Sequence, residues 1–194
     1  MTQFEFVAVF ISIVLGLGVT HLLLGFGETI QERRTLRLYW VHTVWAVNVL
    51  HFHLSFWWNY FTWGGLETWN YGLFLLLIAY TTLLFLLAVV LYPRRLEPGF
   101  DFKAHLLENR VWFFGILTSL GFIDVVETLL KAGAGLRPVP EGYLVYAAIL
   151  TGSALACLLF RSTRVLAGAG LLWLGLDLYY NATALGALGD LFGG

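Results

Sequence analysis

Charge is scarce in this chain. Only 12% of its 194 residues are Asp, Glu, Lys or Arg and 59% are hydrophobic, whereas a soluble domain carries roughly 25% charged residues. That shortage excludes an ordinary solvated surface. With 11 basic and 12 acidic residues the formal net charge is −1, so there is no excess of positive charge with which to hold nucleic acid. Cysteine occurs once, at Cys157, which excludes an internal disulfide and any cysteine-pair motif. Signatures of enzymes are missing as well. No H-E-x-x-H, G-x-S-x-G or Walker sequence is present, and Gly16-Leu17-Gly18 follows no strand, so it is not a nucleotide-binding turn. Lys131 is expected at the outer end of an apolar run, which leaves no deep lysine for a retinal Schiff base.

What is present is a succession of apolar runs long enough to cross a bilayer, which takes about 20 residues as a helix, in a chain of mean hydropathy +0.79. The expected fold is an all-α integral membrane protein, a single transmembrane domain over residues 1–194. Its six transmembrane helices are placed at about 4–27, 38–61, 69–92, 110–131, 142–161 and 164–187. They read as a bundle of three helical hairpins. The opening "MTQFEFVAVF" has neither a basic n-region nor a small-residue cleavage site, so it reads as a retained first span. Pro93 and Pro98 stop the third span, and the tail of the 93–109 connection reads as a short interfacial helix.

Nine of the 11 basic residues lie in three connections: Arg33, Arg34 and Arg37, then Arg94, Arg95, Lys103 and Arg110, then Arg161 and Arg164. Only Lys131 and Arg137 lie opposite. Basic loops stay in the cytoplasm, so both termini are expected outside. Trp40, Trp57, Trp58, Trp63, Trp69 and Trp112 fall near span ends, where an aromatic belt sits. The stretch "FEFVAVFISIVLGLGVTHLLLG" has the general look of small bacterial inner-membrane proteins, and that membrane is the expected location.

Polar residues inside the spans carry the functional reading. Asp124 lies 14 residues beyond Arg110, Asp177 13 beyond Arg164 and His51 14 beyond Arg37, steps of roughly 20 Å at the helical rise. All three therefore reach one level in the outer half of the membrane. Asp124 and Glu127 share a helix face, as do Asp177 and Asn181, and Asn48, His51, Ser55 and Asn59 form a stripe on the second span. A carboxylate at a span centre costs at least about 2.5–3.5 kcal/mol on insertion scales, so these groups are expected to point inward. Burial and a like-charged neighbour both favour a neutral carboxyl group. The expectation is that Asp124, Glu127 and Asp177 share protons, with His51, Asn48 and Asn181 as polar lining of an ion or proton pathway.

On this reading the protein is an ion- or proton-conducting channel or transporter. Its partners are the lipid bilayer, a small cation or proton, and further copies of itself; no cofactor is called for. Ala8, Ser12, Gly16 and Thr20, and again Ala148, Gly152 and Ala156, have the small-xxx-small spacing of close helix contacts, assigned here to packing and to a homo-oligomer. Two alternatives accompany it. One is a metal-binding or redox membrane protein, in which the acids and His51 converge on an ion; the other is a structural or interaction subunit with a sealed polar network. His21 and His42 lie at mismatched depths for a haem pair and are read as structural histidines. His51 and His53 make a poor chelate, since side chains two apart on a helix diverge. Glu28 is expected to snorkel or pair with the nearby arginines, and Glu5 to sit among headgroups or at the cavity mouth.

The orientation has a direct check. In a Cys157→Ser background, Thr2→Cys should react with an impermeant thiol reagent applied outside and Arg95→Cys should not; the opposite pattern would reverse the topology.

Overall fold

The computed structural model describes residues 2–192, with side chains as far as residue 183. Seven α-helices follow one another: α1 Gln3–Gln31, α2 Trp40–Tyr60, α3 Tyr71–Leu91, α4 Phe102–Glu108, α5 Arg110–Gly133, α6 Tyr143–Leu159 and α7 Thr163–Phe192, with a 3-10 helix over Phe61–Gly65. Among the described residues there is no strand. The six long helices overlie the six apolar stretches, and the seventh, α4, lies in the tail of the connection after Pro93 and Pro98. Three of them, α1, α3 and α5, are long and apolar enough to cross a membrane, whereas α6 is apolar but has 17 residues.

Local chemistry explains where the helices start. Thr2 accepts from the Glu5 amide and the Glu5 carboxylate accepts from the Thr2 amide, a capping box that assigns Glu5 to its own helix terminus. Asn70 caps α3 by accepting from the Leu73 amide, and Asp101 caps α4 by accepting from Lys103 and Ala104.

Helix ends are harder to satisfy, because their last carbonyls lack partners within the helix. At the end of α3 three histidines from three different elements solve this together. His105 of α4 bonds the Val90 carbonyl at 3.0 Å, His42 of α2 the Leu91 carbonyl at 2.9 Å and His21 of α1 the Tyr92 carbonyl at 2.9 Å. Each ring supplies an Nε2–H donor to one of three successive oxygens. His21 and His42 are thus occupied by separate carbonyls and do not form a haem-type pair. Arg110 does the same for α6, donating to the Cys157 and Leu158 carbonyls. Glu28 reaches the amide of Leu96 at 3.0 Å, so it holds the α3–α4 connection and does not pair with the arginines. That connection is further laced to the one after α1 by Arg37 N–H to Phe100 O, Phe102 N–H to Arg37 O and Gly99 N–H to Thr35 O.

Packing gives a ring. Neighbouring pairs α2–α3, α3–α5, α5–α6, α6–α7 and α7–α2 are all in contact, and α1 lies outside it against α3 and α2. The most extensive contacts are α1 with α3 and α5 with α6, which cross the boundaries between the three hairpins read from the sequence. Close approach depends on glycine here. A Cβ on Gly121 would stand 2.2 Å from the Thr151 hydroxyl on α6, and one on Gly25 would enter the ring of Tyr92.

The face of α1 turned inward is Val7, Ile11, Leu15, Gly18, Leu22 and Gly25. Gly16 and Gly152 meet nothing within 4 Å in the single chain, so both small-residue stripes face outward from the bundle at these positions. Every long helix also exposes large apolar side chains, among them Phe6, Leu54, Leu75, Phe122, Val145 and Leu178.

The histidine arrangement can be tested by His42→Ala. Loss of a donor to a buried carbonyl costs about 1–3 kcal/mol, and His42→Phe, which keeps the ring volume, should be destabilised by a similar amount. Chemical denaturation in detergent would measure both, and a neutral His42→Phe would show that shape alone is needed there.

Candidate functional site: a polar cavity inside the helix ring

The ring encloses a cavity of about 110 Å³ lined from α2, α3, α5, α6 and α7, while α1 contributes nothing to it. Asp124, Glu127, Asp177, Asn181, Ser55 and Asn59 all face it. Four tyrosines and an arginine join them: Tyr80, Tyr143, Tyr146, Tyr180 and Arg137.

Each acid has its own set of donors. Asp124, on α5, accepts the Tyr80 hydroxyl at 3.0 Å on one oxygen and the Tyr143 hydroxyl at 2.7 Å on the other. Asp177, on α7, accepts from the Tyr146 hydroxyl at 2.7 Å and the Asn181 amide at 3.0 Å, and its second oxygen pairs with Nδ1 of His51. Glu127 accepts from the Trp63 indole at 2.7 Å and from the Lys131 ammonium at 2.6 Å. The ring of His51 is also 3.3 Å from the Ser55 hydroxyl, one turn along α2.

Each acid is thus held by its own donors. Among the described residues no hydrogen bond links Asp124, Glu127 and Asp177 directly. The reason lies in donor reach: tyrosine hydroxyls extend from α3 and α6 to the aspartates, and Lys131, one turn beyond Glu127 on the same helix, takes that carboxylate away from Asp124.

Lys131 lies in the last turn of α5, at the helix end where the sequence placed it, and is buried there, with only 1% of its surface exposed. Besides Glu127 it donates to the Asn59 carbonyl at 2.9 Å, near the end of α2, and its ammonium lies 5.5 Å from the centre of the Trp63 ring. A cation at a helix C-terminus is favourably placed, and three acceptors repay its desolvation. Trp63 accordingly belongs to this buried cluster and not to an interfacial belt, unlike the exposed Trp40, Trp57, Trp58 and Trp112.

Asn48 lies elsewhere. Its amide donates to the Val44 and Gly170 carbonyls at 3.1 and 2.9 Å, fastening α2 to α7 on the side of the cavity nearer the basic loops. His53 turns away from His51 and packs its ring against Gly18 of α1. Among the described residues no group of three or more His, Cys, Asp or Glu side chains is placed to hold a metal ion.

Toward the basic loops the bundle is packed with aromatic rings. Leu84, Leu117, Leu150 and Trp173 line the cavity, and Trp45 packs edge-on against Phe113 and Phe114 at 5.6 and 5.0 Å. Trp45, Phe113 and Phe114 are wholly buried. Phe113 and Phe114 precede Asp124 by about three helical turns, roughly 15 Å.

The tyrosines carry half of this chemistry, and the pattern of charged residues in the sequence does not single them out. A signal exists for two of them: Tyr80 stands in the middle of "LLLIAYTTLLF", far from any belt, and Tyr146 follows Tyr143 by one turn. Comparison with protein-family models, with curated proteins and with solved structures gives no match.

The Glu127–Lys131 pair can be examined by a double-mutant cycle. Lys131→Met alone leaves a buried carboxylate without its cation and should destabilise by about 3–5 kcal/mol. Adding Glu127→Gln should recover part of that loss in unfolding measurements; strictly additive losses would show that the two charges do not interact.

Proposed function

We propose that this protein is an integral membrane carrier whose six long helices cross the bilayer and whose ring cavity takes up and releases protons or small cations during transport. One observation carries the reading: three carboxylates from α5 and α7, one of them paired with a histidine from α2, line a single internal cavity. Buried ionisable groups between membrane helices are expensive, and they are commonly retained for what they conduct or bind. Apolar side chains on the outward face of every long helix support crossing by all six, since large apolar patches are uncommon on surfaces facing water.

The aromatic layer of Trp45, Phe113 and Phe114 favours a carrier over a standing pore. A cavity closed on one side must open on the other for a solute to leave, so rearrangement around this layer accompanies each cycle. Positive-inside orientation turns the cavity end, which holds Lys131 and Arg137, toward the outside. A second reading, a structural or interaction subunit, draws on the fact that every acid already has direct donors.

Asp124→Asn separates the two. The amide keeps the size of the carboxyl group, and the Tyr80 and Tyr143 hydroxyls can rotate to match its oxygen and NH₂, so folding should be nearly intact. In liposomes with an imposed pH gradient the wild type should show proton-coupled flux and Asp124→Asn at least tenfold less. Equal flux in the two, with both well folded, would leave the structural subunit as the better account.

A further inference from the structure

The charged groups around the cavity fall into pairs, with two left over. Glu127 is matched by Lys131 and Asp177 by His51. Asp124 receives only the neutral hydroxyls of Tyr80 and Tyr143. Arg137, on the connection between α5 and α6, donates from one terminal nitrogen to the neutral side-chain carbonyl of Asn59 at 3.2 Å, while its Nε is buried with no partner. The Tyr180 hydroxyl is also buried without a partner, and its ring stacks on Tyr146 with centroids 4.4 Å apart and planes 14° from parallel. Asp124, Arg137 and Tyr180 all line the same cavity.

We propose that the cavity binds a small zwitterion, with one carboxylate and one ammonium group on a compact carbon frame, as in a small α-amino acid. Its carboxylate lies against Arg137, whose guanidinium edge can give two parallel N–H bonds to such a group, and accepts the Tyr180 hydroxyl as well. Its ammonium lies against Asp124, whose oxygens keep acceptor capacity beyond the one tyrosine bond that each receives.

Charge and size both select this class. A simple anion would satisfy Arg137 but leave Asp124 without a cation, and a simple cation would leave the buried Nε unmatched. A zwitterion adds no net charge and completes both. An apolar cavity of about 150 Å³ holds benzene, with its six non-hydrogen atoms, so about 110 Å³ suits a ligand of roughly four or five non-hydrogen atoms, the size of glycine. Leu117, Leu120 and Leu150 put apolar surface on the wall, which suits a hydrogen or methyl side chain.

Recognition of the zwitterion stands on the cavity alone, and only its passage across the membrane rests on the carrier reading. Equilibrium binding to the purified full chain in nanodiscs therefore tests it. Radiolabelled glycine and alanine should bind saturably, and acetate and methylammonium should compete at least tenfold more weakly than either. Arg137→Gln and Asp124→Asn should each weaken glycine binding tenfold or more, and Tyr180→Phe severalfold, with the thermal midpoint of each variant measured alongside. Tyr180→Phe loses no hydrogen bond of the unliganded protein, so it tests the site even if another variant fails to fold.

Acetate competing as well as glycine, or Asp124→Asn leaving glycine binding unchanged, would overturn the proposal. Absence of saturable glycine and alanine binding at millimolar concentration would overturn it too, and would leave proton flux untouched. Saturable glycine binding without flux in liposomes would instead uphold the site and remove the transport reading.

Discussion

Inside an apolar helical bundle there is little water to complete a hydrogen bond, so buried carbonyls and carboxylates must find donors within the chain. The rest of this structure depends on that requirement. The end of α3 is closed by His105, His42 and His21, and the end of α6 by Arg110. Near the end of α2, Lys131 reaches across from α5. In each case the donor comes from another element, so satisfying a helix end also fixes which helices are neighbours.

The same requirement shapes the cavity. Three acids face it, and each is held by donors on other segments: Tyr80 and Tyr143 for Asp124, Tyr146 and His51 for Asp177, Trp63 for Glu127. Tyrosine suits this task because its ring packs among leucines while its hydroxyl extends to the carboxylate. The polar centre is therefore also a joint between helices.

The bundle is asymmetric along its length. Below the acids, Trp173, Trp45, Phe113 and Phe114 form an aromatic layer without ionisable groups. Above them, Arg137 and Tyr180 bring buried groups without partners to the wall. Polar groups thus gather on one side of the bundle and packed aromatic rings on the other.

Scarcity of charge and the length of the apolar runs determined, from sequence alone, that the chain is helical and where its long helices lie, because that pattern is local to each segment. The positions of Asp124, Glu127, Asp177, Asn181 and His51 were legible for a related reason: a polar residue in an apolar helix stands out without knowledge of its neighbours. Their partners were not legible. Whether Lys131 ends in water or on Glu127, whether Trp63 joins a belt or a buried cluster, and whether Asn48 lines the cavity or fastens α2 to α7 depend on which helices adjoin in the ring. Helix adjacency is set by packing between segments distant in the chain, such as Gly121 against Thr151 and the three histidines at the end of α3, and no spacing within a single helix records it.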